Sequence, residues 1–207
     1  MKQILIAAIV ALSATFIPAA YAATPNHATI SQQVKSGQYA TLLERYKAGQ
    51  KLTADEAAIV YFGSALQPGF QAEKDYNKML AAYNTGQTDN AFRLCEEALA
   101  TDPTNLLLLY KAYGAAMVSK DSAIKAKAPK MQARLLTVCD AIENSGTGVS
   151  ESSPYMVIRP SDTDEFLNKY MQPSAINGRA TIGNLSAAKV KLDGIADDVI
   201  LYFSTFK

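Results

Sequence analysis

Residues 39–50, YATLLERYKAGQ, return in altered form 37 positions later as residues 76–87, YNKMLAAYNTGQ. Both copies place four large residues at i, i+3, i+4 and i+7, the spacing that draws one apolar stripe along an α-helix. Gly49 and Gly86 follow and can end each helix. A period of this size is typical of stacked helical hairpins, which usually present a surface to a partner. The repeat therefore predicts architecture more clearly than activity.

Antiparallel helices are expected throughout residues 38–144. Thr53 and Glu56 have the spacing of a capping box at the start of the second helix. The second hairpin resembles a tetratricopeptide repeat in its turn glycine, in two small residues where helices approach closely and in a terminating proline: Gly86, Ala91, Ala98 and Pro103. The resemblance covers one repeat and implies a helical hairpin without indicating a ligand.

The pattern changes after Gly146. Residues 155–158 read as a short strand, and Asp162 with Glu165 is expected to cap a brief helix on its solvated side. The alternation from Val190 onward, a turn at residues 193–194, and the apolar residues at 199–203 and 206 predict paired antiparallel strands. Residues 145–207 should therefore form a small β-rich part packed on the helices, which gives an α+β fold.

The first 22 residues have the features of a secretory signal peptide. Lys2 precedes an apolar run from Ile4 to Leu12, and small residues surround a cleavage site after Ala22. The run is shorter than the roughly 20 residues that a membrane-spanning helix needs. We expect a periplasmic or secreted protein with no membrane span after cleavage, and we interpret residues 23–37 as a short leader.

Charge argues against nucleic acid as a partner. The whole chain has 20 basic and 19 acidic residues. Cleavage after Ala22 removes only Lys2 and leaves 19 of each. A nucleic-acid-binding protein normally has a clear basic excess with which to displace counterions from the phosphates.

The catalytic inventory is sparse. His27 is the one histidine and falls in the expected leader, so neither a histidine-based triad nor a multi-histidine metal site can be built in the folded body. We therefore predict no catalytic residue, metal site or cofactor. Cys95 and Cys139 both fall on inward stripes, where they act either as buried free thiols or as a disulfide between helices.

The order of these features resembles a family of secreted bacterial proteins described as domain of unknown function 4919. The resemblance spans most of the chain after the signal peptide and implies the same architecture, with no assigned activity. The residues that carry it are Leu43, Glu44, Arg45, Tyr46, Leu52, Thr53, Glu56, Tyr61, Phe62, Gly63, Gln67, Pro68, Gly69, Phe70, Ser145, Gly146, Thr147, Gly148, Val157, Ile158, Tyr202 and Phe203.

Two functions follow as hypotheses. The first is a non-enzymatic helical-repeat scaffold that binds a protein or peptide, with Tyr46, Tyr61 and Tyr83 lining the groove because tyrosine can pack at one end and meet a partner at the other. The alternative is a small-ligand binder or a carboxylate-based enzyme that uses residues 145–166, including Asp162, Asp164 and Glu165.

The signal peptide gives a direct test. When the full chain is produced in a bacterial host with a secretion pathway, we expect the exported protein to begin at Ala23. Intact-mass spectrometry and N-terminal sequencing of the periplasmic fraction measure this. A cytoplasmic product that keeps Lys2 and the apolar run would contradict the expectation.

Overall fold

A computed structural model describes residues 25–206, in which eight helices precede residue 144 and a sheet with one further helical segment follows. In that range the α-helices are α1 His27–Lys35, α2 Gln38–Lys47, α3 Ala54–Ser64, α4 Asn77–Asn84, α5 Thr88–Thr101, α6 Leu106–Val118, α7 Ser122–Lys125, α8 Ala128–Glu143 and α9 Pro160–Glu165. A π-helical stretch, Phe166–Met171, continues α9. The predicted α+β class is confirmed.

One mixed sheet of four strands follows, with the strand order β1-β4-β3-β2. Its strands are β1 Tyr155–Val157, β2 Ala175–Ile182, β3 Leu185–Lys191 and β4 Val199–Thr205. β3 pairs antiparallel with both β2 and β4, whereas β1 pairs parallel with β4 in the register Tyr155 to Phe203.

Two details of the expected sheet need correction. The β-rich part is not purely antiparallel, because a long connection through α9 and the β2–β3 hairpin allows β1 to lie parallel to β4. The sequence pattern also missed β2, whose residues are mostly exposed at the edge of the sheet. An edge strand of this kind shows no clear apolar alternation.

Both copies of the repeat are helices that end in the same way. Gly49 and Gly86 adopt φ values of 76° and 75°. In each copy the glycine N–H donates to the carbonyl three residues back, and the following glutamine N–H donates to the carbonyl five residues back. This pair of bonds is the Schellman ending, which needs a left-handed residue at the glycine position.

The two copies of the repeat, α2 and α4, are linked through a series of contacts between other helices. α2 packs against α3 and α4 against α5, while α3 also packs against α8, α5 against α6, and α6 against α8. The capping box at Thr53 is present, since its side chain accepts from the Glu56 N–H and Glu56 accepts from the Thr53 N–H. The closer description as a tetratricopeptide-like repeat stays a prediction.

The expected leader is corrected by α1. This helix begins after Asn26, whose side chain accepts from the Ala28 N–H at 2.8 Å. Ile30 is buried, α1 packs against α3, and the His27 ring stacks on Phe206 with 5.7 Å between centroids. Residues 27–35 therefore belong to the folded body.

One hydrophobic core runs through both parts of the chain. α6 supplies its centre, because Leu106, Leu108 and Leu109 are fully buried. The sheet contributes Leu201 and Phe203 from the inner face of β4. The helices and the sheet therefore fold around a shared interior.

The described part of the chain, residues 25–206, contains no helix long and apolar enough to cross a membrane. Residues 1–22, where a signal peptide is expected, lie outside the described range. Secretion therefore stays a prediction.

The two repeat glycines allow a matched test of stability. An alanine Cβ at Gly86 would meet no atom within 4 Å, whereas one at Gly49 would lie 3.3 Å from Lys130 Cα. We expect Gly86→Ala to lower the free energy of unfolding by about 1–2 kcal/mol, the usual cost of a left-handed alanine, and Gly49→Ala to lower it further. Urea unfolding of both variants measures this, and equal losses would contradict the close approach to Lys130.

Candidate functional site

A cleft of about 240 Å³ opens where α2, the loop 65–76 and the turn between α5 and α6 meet. α2 contributes Tyr39, Leu43 and Lys47, the loop contributes residues 67–71 and Lys74, and the end of α5 with the turn after it contributes residues 100–103. The loop reverses at Gly69, where φ is 82°. The cleft thus combines one helix wall, one irregular loop and one helix-to-helix turn.

Asp102 lies on the wall that the α5–α6 turn provides, and it is 8% exposed. Three side chains donate to its carboxylate. Arg159 Nη2 donates to Oδ1, while Tyr76 OH and Asn105 Nδ2 each donate to Oδ2 at 2.8 Å. Both oxygens are therefore engaged, and the negative charge is offset from within the protein.

Arg159 is the largest fully buried side chain of the described residues. It directly precedes α9, in the C-terminal part of the chain. Besides its bond to Asp102, its Nη1 lies 3.6 Å from Asp162 Oδ2 and its guanidinium sits 4.8 Å from the centre of the Phe70 ring. Arg159 therefore supports two residues of the cleft, Asp102 and Phe70, from behind.

Asp162 and Tyr61 complete this buried network. Asp162 is 1% exposed and accepts from Tyr61 OH at 2.7 Å. Tyr61 OH in turn accepts from the Ile158 N–H at 3.1 Å. Burial, followed by the nearby Asp162 carboxylate, raises the pKa of Tyr61 well above its usual value. The expectation that Asp162 caps a helix toward solvent is wrong.

The prediction that three tyrosines line a groove is wrong for Tyr46 and Tyr61, because both are buried. Tyr46 and Tyr61 are 0% exposed, so neither can line an open surface. Tyr46 OH and Arg134 Nη2 both donate to the Pro103 carbonyl at 2.9 Å, and burial raises the pKa of Tyr46 to about 12. Tyr46 thus secures the turn next to Asp102 from inside the protein.

Tyr83, the third predicted groove tyrosine, is half-buried and lies away from the cleft. The Lys111 ammonium sits over its ring at 4.2 Å from the centroid. The three tyrosines are therefore not brought together on one surface.

Cys95 and Cys139 are both free and buried. Burial raises the pKa of the Cys95 thiol to about 12 and raises that of Cys139 as well. Tyr110 OH lies 3.9 Å from the Cys139 sulfur. The structure has free thiols, the first of the two alternatives, and both are held in the protonated, unreactive form.

The other two carboxylates of the alternative hypothesis do not share the buried environment of Asp162. Asp164 is exposed and pairs with Arg179 at 2.7 Å. Glu165 is half-buried, and burial raises its pKa. Tyr155 packs against the rings of Phe166 and Phe203. Within residues 25–206, no three His, Cys, Asp or Glu side chains are grouped closely enough to hold a metal ion.

Fold and site together define a class of protein: an α+β domain with a small polar cleft that one buried arginine supports. The family model described as domain of unknown function DUF4919 matches residues 26–205, and the chain belongs to this family. The resemblance noted in the sequence is thus confirmed. No curated protein and no solved structure matches the chain.

The sequence pattern partly anticipated the cleft. Gln67, Pro68, Gly69 and Phe70 carry part of the family resemblance, and all four line it. The sequence pattern does not indicate the supporting residues Asp102 and Arg159, because Asp102 precedes Pro103 at a helix ending and its partners are distant in the chain. The available signal for Arg159 was a charged residue placed between an apolar strand and Pro160.

Asp162 makes stability depend on pH. Burial is the largest cause that raises its pKa from 3.8 to about 6, so the folded protein holds this proton more tightly than the unfolded chain. Its stabilising contribution is complete below pH 4 and is lost as the pH rises through 6. Wild type should therefore lose up to about 3 kcal/mol relative to Asp162→Asn between pH 4 and pH 7.

Urea unfolding of both proteins at the two pH values measures this difference. Asp164→Asn is the control, because Asp164 is exposed and its ion pair is at the surface. The difference in free energy of unfolding between wild type and Asp164→Asn should change by less than about 1 kcal/mol between the two pH values. A constant difference between wild type and Asp162→Asn would contradict the raised pKa.

Proposed function

We propose that this protein is a periplasmic or secreted binding protein without catalytic activity, and that its cleft receives a segment of a protein or peptide partner. The observation that carries the proposal is the cleft of about 240 Å³, whose lining combines two lysines and polar side chains with the apolar surface of Leu43 and Phe70. The signal-peptide pattern at residues 1–22 supports the location outside the cytoplasm.

The state of the polar groups favours binding over catalysis. Both oxygens of Asp102 are occupied by donors from the protein. Burial keeps the Tyr61 and Tyr76 hydroxyls protonated by raising their pKa values. A general base must be able to take a proton from a substrate, and these groups are committed to internal bonds. The other polar side chains that line the cleft are the two lysines, two glutamines, Ser64, Thr101 and Tyr39, which can hydrogen-bond to a ligand.

A small-molecule binder is the second candidate. Pockets for drug-sized ligands usually have about 300–1,000 Å³. The cleft, at about 240 Å³, is slightly smaller than these pockets, so a ligand somewhat smaller than a drug molecule would fill it. Asp162 and Glu165, which the alternative hypothesis used, are not among the residues that line the cleft. This candidate therefore concerns the cleft and not the 145–166 segment.

Site-specific photo-cross-linking distinguishes the two candidates. A photoreactive amino acid replaces Gln71, which is exposed at the cleft. In a matched control it replaces Gln32, an exposed glutamine on α1 outside the cleft. Both proteins are produced and illuminated in the organism that makes the natural protein. We expect a protein adduct from position 71 and none from position 32, as read by gel shift and mass spectrometry.

A protein adduct from both positions would contradict a specific site in the cleft. A small-molecule adduct confined to position 71 would replace the partner proposal with the second candidate. The absence of any adduct at position 71 would count against both.

A further inference from the structure

We infer that the cleft recognises a carboxylate of an acidic peptide segment. This inference rests on the proposed function, because it names the chemical group that the partner would place in the same cleft. It follows from the balance of charge around the opening, from the way Asp102 is neutralised and from the apolar surface beside the lysines.

The charged side chains that line the cleft are Lys47, Lys74 and Asp102. Arg159, directly behind Asp102 and Phe70, pairs with Asp102 and also lies 3.6 Å from Asp162 Oδ2, so its charge is offset within the protein. Because Arg159 offsets the charge of Asp102, the excess charge at the opening comes from the two lysines. An anionic group is therefore favoured over a cationic one.

Asp102 does not reverse this preference. Its Oδ1 accepts from Arg159 and its Oδ2 accepts from Tyr76 and Asn105. A cationic ligand would have to compete with these three donors for the same oxygens. Since the Arg159 guanidinium is 1% exposed, water screens this pair poorly and the charge on Asp102 stays matched.

The two lysines are available to a ligand. Lys74 Nζ lies 3.5 Å from Thr101 Oγ1 and 5.9 Å from the centre of the Tyr76 ring, so contacts from two elements hold it beside the opening. Lys47 pairs with Glu44 at 3.1 Å, and the Glu44 side chain is 74% exposed. An ion pair this exposed is weak and can exchange for a ligand carboxylate.

The remaining walls suit the carbon atoms next to such a carboxylate. Leu43 and the Tyr39 ring line the α2 side, and Phe70 lines the loop side. Tyr39 OH is turned to Ser64 Oγ at 3.2 Å, and Phe70 rests on the Arg159 guanidinium. Apolar surface therefore lies beside the lysine ammonium groups, an arrangement that fits a short aliphatic side chain ending in a charge.

Three synthetic pentapeptides test the inference and separate two sources of the carboxylate. All are acetylated. The first, Ala-Ala-Glu-Ala-Ala, has an amidated end and an acidic side chain. The second replaces Glu with Gln and carries no charge. The third has the Gln sequence with a free C-terminal carboxylate. Binding is followed by chemical-shift changes of the cleft amide groups at low salt.

We expect at least about tenfold tighter binding of one carboxylate peptide than of the uncharged peptide, because hydrogen bonds to charged groups are much stronger than neutral ones. Whichever of the two binds more tightly identifies the source as a side chain or a chain end. Lys74→Gln should weaken the binding of that peptide by at least about fivefold. Lys78→Gln, an exposed lysine of α4 outside this cleft, should leave binding unchanged.

Other outcomes overturn the inference in distinguishable ways. If all three peptides shift the cleft amides equally, the carboxylate preference is wrong while peptide binding in the cleft stands. If no peptide shifts them while the Gln71 position still yields a protein adduct, the carboxylate inference fails and the proposed function survives. Equal weakening by Lys74→Gln and Lys78→Gln would show a non-specific charge effect and overturn the assignment to the cleft.

Discussion

The buried ion pair between Arg159 and Asp102 is the interaction on which the site depends. Arg159 comes from the C-terminal part of the chain and Asp102 from the turn between α5 and α6, so the pair joins residues 57 positions apart. Removing one member of such a pair leaves an uncompensated charge away from water, which costs about 3–5 kcal/mol. Because the pair joins the helical part to the C-terminal part, the cleft wall takes its position only when the two parts fold together.

The same arginine organises its surroundings in several directions. It supports the Phe70 ring, lies close to Asp162 and thereby meets the network that reaches Tyr61 on α3. On the other side of the turn, Tyr46 and Arg134 bind the Pro103 carbonyl. Buried polar side chains therefore fix the position of the α5–α6 turn. Lys47 and Lys74, which lie at the surface, then determine which ligands the cleft attracts.

The sequence predicted what depends on short-range spacing. The helices at residues 39–50 and 76–87, their glycine endings and the capping box at Thr53 all follow from contacts within one or two helical turns. It failed where distant residues decide the outcome. Tyrosine is a residue type common at binding surfaces, but Tyr46 and Tyr61 are buried. Their hydroxyls hydrogen-bond to residues 57 and 101 positions away in the chain. β2 likewise exists because β3 pairs with it.

A double-mutant cycle on the free energy of unfolding tests the central claim most directly. It compares wild type with Arg159→Met, Asp102→Asn and the variant that carries both changes, using urea denaturation. The account predicts that the double variant is more stable than the sum of the two single losses implies, with a coupling above about 1 kcal/mol. Losses that add to within about 0.5 kcal/mol would show that the two side chains act independently and would contradict the account.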